Sequence, residues 1–235
     1  MSITYIEITT LFLRLKKPCG GSSITSVFCC TIRRDFLVLL FSLLINQVSE
    51  RMATKATIYK ASVQVSDMDR NHYQSYELTL ALHPSETEER MMVRLAAFAL
   101  LADEKEGSEQ LSFSKGISTE DEPDLWQKNY SDEILLWVEL GQPDEKRLRK
   151  ACGRAQQVIV VNYNDKSDIW WEQNKGKNSR FENMRVLRFP EVQVEALAKI
   201  CTRSMQLNVT IQDGDMWISG ELGECQMTPM WRGEQ

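Results

Sequence analysis

Glu133-Ile-Leu-Leu-Trp-Val-Glu-Leu-Gly141 runs through Gln142-Pro143 into a basic stretch, Asp144-Glu-Lys-Arg-Leu-Arg-Lys150, and then into Val158-Ile-Val-Val-Asn-Tyr163. Both apolar runs are continuous enough to be strands buried on two faces, as central strands under helices are. Pro143 opens a helix reaching to about Gln156. Strand, helix and strand in that order predict a crossover with the two strands parallel and adjacent.

Reading outward toward the C-terminus, residues 165–173 are helical, 176–183 form a polar loop, 184–189 a strand and 191–201 a helix. Residues 207–212 and 216–219 flank Asp213-Gly214, a favoured hairpin turn. Toward the N-terminus, residues 117–132 read as an acidic loop with one helical turn around Pro123, and 111–114 as a short strand. Before them, Ser85-Glu-Thr-Glu88 has capping-box spacing, and Met91, Leu95, Phe98 and Ala102 recur at helical intervals, which predicts a helix over 85–103. Residues 58–65 and 76–82 alternate around a polar turn at 67–71 and predict an antiparallel hairpin. The expected fold class is α/β: a mixed central sheet flanked by helices, with antiparallel hairpins added at both ends.

Residues 1–51 have a different character, rich in Ser, Thr and Cys and ending in Phe36-Leu-Val-Leu-Leu-Phe-Ser-Leu-Leu-Ile-Asn46. That run follows Arg33 and Arg34 but lacks a credible cleavage site, and it falls short of the ~20 apolar residues that span a bilayer. Met52-Ala-Thr-Lys reads as a natural start. The expectation is one domain over 52–235 with no membrane segment, preceded by an upstream extension or a disordered or targeting segment.

The chain carries 28 Lys and Arg against 33 Asp and Glu; residues 1–51 hold six of the former and three of the latter, which leaves the rest at −8. That balance excludes a uniformly basic nucleic-acid coat. Six cysteines include no C-x-x-C pair and no Cys/His cluster, the pattern of reduced thiols in a cytoplasmic protein. With His72 and His83 alone, zinc sites built on several imidazoles are excluded. Lys175-Gly176-Lys177 lacks the earlier glycine of a phosphate loop, and neither a nucleophile elbow nor a dinucleotide fingerprint occurs.

What remains is a set of carboxylates: Glu86 and Glu89 at the start of the first helix, Pro123-Asp124 before a buried strand, and Glu139 within it. Converging on one strand end, they suit a hard cation such as Mg²⁺ or Mn²⁺. Each has a plainer reading as well. Glu86 and Glu89 complement a helix N-terminus, Glu88 completes the capping box, and Asp124 is one of several acids beside Glu120, Asp121 and Glu122. Glu139 differs: between Val138 and Leu140 an unpaired charge is costly, so a partner or a metal is expected.

Lys55-Ala-Thr-Ile-Tyr-Lys-Ala61, Leu82-His-Pro-Ser-Glu-Thr-Glu-Glu-Arg-Met-Met92, Trp137-Val-Glu-Leu-Gly141 and Thr210-Ile-Gln-Asp-Gly214 together resemble the YaeQ family over about residues 52–235. That family is similar in fold to the PD-(D/E)XK nucleases, so the resemblance implies a restriction-endonuclease-like core. It also implies an acid on the first core helix, an Asp often preceded by Pro, and an E-x-K strand around a metal. By position these are Glu89 or Glu86, Asp124 and Glu139. The lysine of E-x-K falls on Gly141, and Lys146, with Lys150 in reserve, is expected to supply the charge from the next helix.

Lys146, Arg147, Arg149, Lys150 and Arg154, with Lys175, Lys177 and Arg180, either meet phosphates or complement helix dipoles and acidic neighbours. Trp170 and Trp171 either stack on bases or pack on the sheet, and Cys152 and Cys201 read as inert buried thiols. Two functions follow from the resemblance: a metal-dependent phosphodiesterase acting on nucleic acid, or a catalytically inactive nuclease-derived module that binds nucleic acid or a protein.

Overall fold

The computed structural model describes residues 56–103, 108–114 and 122–233, so the expectations for residues 1–51, and for residues 117–121 of the acidic loop, lie outside the described residues. In chain order the elements are β1 (Thr57–Asp67), β2 (His72–Leu82), α1 (Glu88–Leu101), β3 (Ser112–Phe113), β4 (Leu125–Lys128), β5 (Ile134–Leu140) and α2 (Glu145–Cys152). They continue with β6 (Ala155–Asn162), α3 (Ser167–Asn178), β7 (Met184–Arg188), α4 (Glu191–Lys199), β8 (Ser204–Gln212), β9 (Asp215–Gly220), β10 (Gly223–Met227) and β11 (Met230–Arg232).

The expected crossover is present. β5 and β6 are parallel neighbours, Val138 opposite Ile159 and Glu139 opposite Val160, joined through α2. They form the middle of a six-stranded mixed sheet in the order β11-β7-β6-β5-β4-β3. The two faces of this sheet bury different neighbours because successive residues point to opposite sides. Val138, Leu140, Ile159, Val161 and Leu187 join the main core with α1, whereas Trp137 and Val158 pack with Ala151 of α2, and Val160 and Val186 with Trp170 of α3.

The two predicted hairpins are also present, β1 with β2 and β8 with β9, but they are not separate additions. β1 pairs in parallel with β8 from Lys60↔Ser204 to Asp67↔Ile211, which makes one five-stranded sheet, β10-β9-β8-β1-β2. α1 lies in the core that both sheets share, and every residue from Met91 to Ala99 is buried, Arg94 included. Phe98 fills its centre, edge-on to Tyr76 and stacked on Phe113 at centroid distances of 5.1 and 5.2 Å.

Several boundaries differ from the sequence reading. α1 begins at Glu88, not Ser85, because a turn consumes the preceding residues: the Glu86 amide donates to the His83 carbonyl at 2.8 Å and Ser85 Oγ bonds His83 Nδ1 at 2.6 Å. Thr87 is the cap instead, its hydroxyl accepting from the Arg90 amide at 3.2 Å. Glu88 accepts from the Tyr59 hydroxyl at 2.8 Å rather than closing a capping box. The acidic loop holds strand β4, α3 extends through Gly176 into the expected polar loop, and β10 and β11 were not anticipated. Among the described residues no helix is long and apolar enough to cross a membrane.

Candidate functional site

Asp124 stands just before β4 and is fixed to β5 by backbone: its amide donates to the Val138 carbonyl at 3.0 Å, and its Oδ2 accepts from the Leu140 amide at 2.8 Å. Arg90 of α1 then closes on the same carboxylate through both terminal nitrogens, at 2.7 and 2.9 Å. A two-pronged guanidinium on a buried carboxylate is a strong, directional pair. The Asp124 bond and charge raise the pKa of Arg90 further, against the opposing effect of its own burial.

Glu86 lies in the turn ahead of α1 and is buried. Its Oε2 faces Arg94 Nη2 at 3.1 Å, and Arg90 approaches its Oε1 at 3.5 Å. Burial pushes the Glu86 carboxyl above the ordinary carboxylate range despite these cations, and Asp124 adds to the rise. Glu86 Oε1 and Arg94 Nε have no hydrogen-bond partner.

Glu139 shares the α2 side of β5 with Trp137, two residues away, whose indole donates to its Oε2 at 3.2 Å. Its Oε1 accepts from Arg147 Nε at 2.6 Å, and Arg147 Nη2 also donates to the Glu122 carbonyl at 2.9 Å. Burial raises its carboxyl pKa as well, and Arg147 only partly offsets the rise. The sequence reading expected a partner or a metal for this acid, and the structure sets an arginine against it. Lys146, expected to supply the charge of the missing E-x-K lysine from this helix, is exposed. Asp144 caps α2 by accepting the Arg147 amide at 2.7 Å, and the helix so started turns Arg147, Leu148 and Ala151 to the sheet.

Glu89, on the first turn of α1, is exposed. It acts on Tyr163, whose hydroxyl is held above its usual pKa chiefly by burial. Gly141 has φ +93°, a left-handed conformation that glycine adopts without strain, so the chain leaves β5 through a residue where lysine would be strained. Asn162, fully buried beside it, donates to the Gly141 carbonyl at 2.5 Å.

The structure thus brings Glu86 and Glu139 each within electrostatic reach of Asp124 and leaves Glu89 and Lys146 at the surface. Their fit to Mg²⁺ or Mn²⁺ fails as arranged. Both oxygens of Asp124 and both of Glu139 already accept from guanidinium, indole or amide groups, and no set of three His, Cys, Asp or Glu among the described residues is grouped to hold a metal ion. Access is also poor, since the Asp124 and Glu139 side chains are 4% and 7% exposed. A cleft of about 360 Å³ that includes Leu100, Leu136, Ile159 and Trp231 in its lining touches none of these acids.

Part of the basic surface gathers on one acid. Glu145 accepts from Arg149 at 2.8 Å and from Arg180, which chiefly holds its carboxyl below the ordinary range, and Lys177 lies 4.0 Å away. Trp170 is buried and donates to the Pro143 carbonyl at 3.1 Å. Burial pushes the Cys152, Cys201 and Cys225 thiols up to about 11, as inert thiols require.

A family model described as YaeQ protein matches residues 52–229. The chain belongs to the YaeQ family. A YaeQ protein of Salmonella typhi is 48% identical over 169 residues, 72% of this chain and 91% of the relative. One from Escherichia coli strain K12 is 46% identical over 177 residues, 75% and 95% of the two chains. Both carry the description uncharacterized. Among solved structures, the YaeQ protein of Xanthomonas axonopodis pv. citri superimposes with a TM-score of 0.72 at 44% identity, covering 77% of this chain and 99% of its own. That of Pseudomonas syringae gives 0.71 at 34%, covering 77% and 97%.

Proposed function

We propose that this YaeQ-family chain is a nuclease-derived module that works by binding a protein partner, with its former catalytic acids serving as structural ion pairs. The observation that carries this reading is the closure of Asp124 by Arg90 and of Glu139 by Arg147. A cation approaching either carboxylate has to compete with the arginine already bound there, and breaking a buried pair costs about 3–5 kcal/mol. The kinship to PD-(D/E)XK nucleases is an analogy of fold, and fold alone does not carry activity. Protein is favoured over nucleic acid because the charge of residues 52–235 is −8, Arg149, Lys177 and Arg180 gather on Glu145, and Lys175 pairs with Glu172.

Calorimetric titration of the full chain with Mn²⁺ and Mg²⁺, with cleavage assays on single- and double-stranded DNA and RNA, tests the reading. Neither metal binding that depends on Glu139 nor cleavage is expected. Metal-dependent cleavage lost in Glu139→Ala would sink it.

A second reading, a Mg²⁺- or Mn²⁺-dependent phosphodiesterase, draws support from Glu86 Oε1, which has no hydrogen-bond partner and whose carboxyl feels the Asp124 charge. It would use Asp124 and Glu139 with Glu89 or Glu86, and Lys146 for phosphate charge. It requires Arg90 and Arg147, whose side chains are 18% and 28% exposed, to swing aside.

A further inference from the structure

Among the described residues β2 is the last strand of its sheet, eleven residues long, and it pairs with β1 without a register shift from one end to the other. The other terminal strands are shorter, at five, three and two residues. Natural sheets protect a long flat edge with lysine, proline, a bulge or a covering element. Residues 72–82 contain no Lys, Arg or Pro, and their one carboxylate is Glu77.

The direction of the free hydrogen-bonding groups follows from the register. The Lys60 and Met68 amides donate to β8-side carbonyls, so even-numbered residues of β1 point to β8 and odd-numbered ones to β2. The odd residues of β1 stand opposite even residues of β2. Tyr73, Ser75, Glu77 and Thr79 therefore aim their N–H and C=O groups at the open edge. Arg94 Nη2 takes the Ala81 carbonyl at 3.1 Å, which caps one end of the open stretch.

We propose that two copies of this chain pair through that edge, antiparallel about Tyr76, so that the two five-stranded sheets become one. The stretch Tyr73-Gln-Ser-Tyr-Glu-Leu-Thr79 is self-complementary in this register. Tyr73 meets Thr79 and Ser75 meets Glu77 of the second copy, so the lone carboxylate faces a hydroxyl and no like charges oppose. About eight backbone hydrogen bonds result. Tyr opposite Thr is a favourable cross-strand pair, and a two-fold axis is the commonest symmetry of such assemblies. The pairing stands independently of whether the acids bind metal.

Sedimentation velocity of the full chain over a concentration series tests it, with expected growth to twice the 27.1 kDa of one chain. Ser75→Pro removes an amide that points to the open edge and no ladder bond within the sheet, and is expected to abolish the dimer while far-UV circular dichroism is retained. Ser75→Glu sets like charges opposite Glu77 at two places and is expected to raise the dissociation constant about tenfold, whereas Ser75→Lys is expected to lower it. A chain that stays monomeric at every concentration, a dimer indifferent to Ser75→Pro, or equal effects of Glu and Lys would each overturn the pairing.

Discussion

Arg94 is 2% exposed and its Nη2 is shared between Glu86 Oε2 and the Ala81 carbonyl, both at 3.1 Å. Burial depresses its pKa, and Glu86 chiefly opposes the fall. A guanidinium in that position is stable only while the acid is there, and the acid only while the guanidinium is. Arg94→Leu should therefore cost about 3 kcal/mol in urea unfolding, the low end for a broken buried pair, because Arg90 still faces Glu86 at 3.5 Å. Glu86→Leu combined with Arg94→Leu should recover roughly half of that loss, since two apolar groups leave no buried charge. A double variant no more stable than Arg94→Leu would refute the coupling. The same scale explains what the sequence disclosed about the site. Glu139 announced itself as a charge between two buried apolar residues. Its partner did not, because Lys146 and Arg147 are adjacent on a helix and about 100° apart, and only the Asp144 cap decides which faces the sheet.

At the scale of elements, the seam between β1 and β8 holds the two hairpins together. Asp69, in the β1–β2 turn, accepts the amides of Asp213 and Gly214 in the β8–β9 turn at 2.8 and 2.9 Å, and the Met68 amide donates to Ile211 at 2.9 Å. Asp69→Ala removes both acceptors, but the site is exposed and water replaces them, so a loss of about 1 kcal/mol is expected. Hydrogen exchange should accelerate first at Asp213 and Gly214, and unchanged exchange there would argue against the clasp. Local elements were legible because alternation, helical spacing and the Asp-Gly turn are signals within a few residues. The parallel seam was not, since it joins segments about 144 residues apart and parallel pairing leaves no turn between its partners. β4 was missed for a related reason: its Leu125-Trp-Gln-Lys128 is too short to show a period, and it owes its existence to pairing with β5.

At the scale of the whole molecule, the buried acids set how stability responds to pH. Glu86 and Glu139 have folded-state pKa values above the ordinary carboxylate value, in both cases chiefly through burial. Between the ordinary value and the raised one, the folded chain binds more protons than the unfolded chain at these two positions. Stability contributed by them consequently falls as pH rises through that window, and it is flat above and below. This runs opposite to the usual effect of salt-bridged surface acids such as Glu145, whose pKa is lowered chiefly by Arg180. The two can be separated by comparing the native chain with the variant carrying Glu86→Gln and Glu139→Gln. Groups away from these two acids titrate alike in both, so the difference in urea unfolding free energy reports the pair and its immediate neighbours. The native chain should gain relative to the variant as pH is lowered from 7 toward about 4.5. A difference that stays constant, or that moves in favour of the variant on acidification, would mean that the arginines keep these carboxyls at or below the ordinary value.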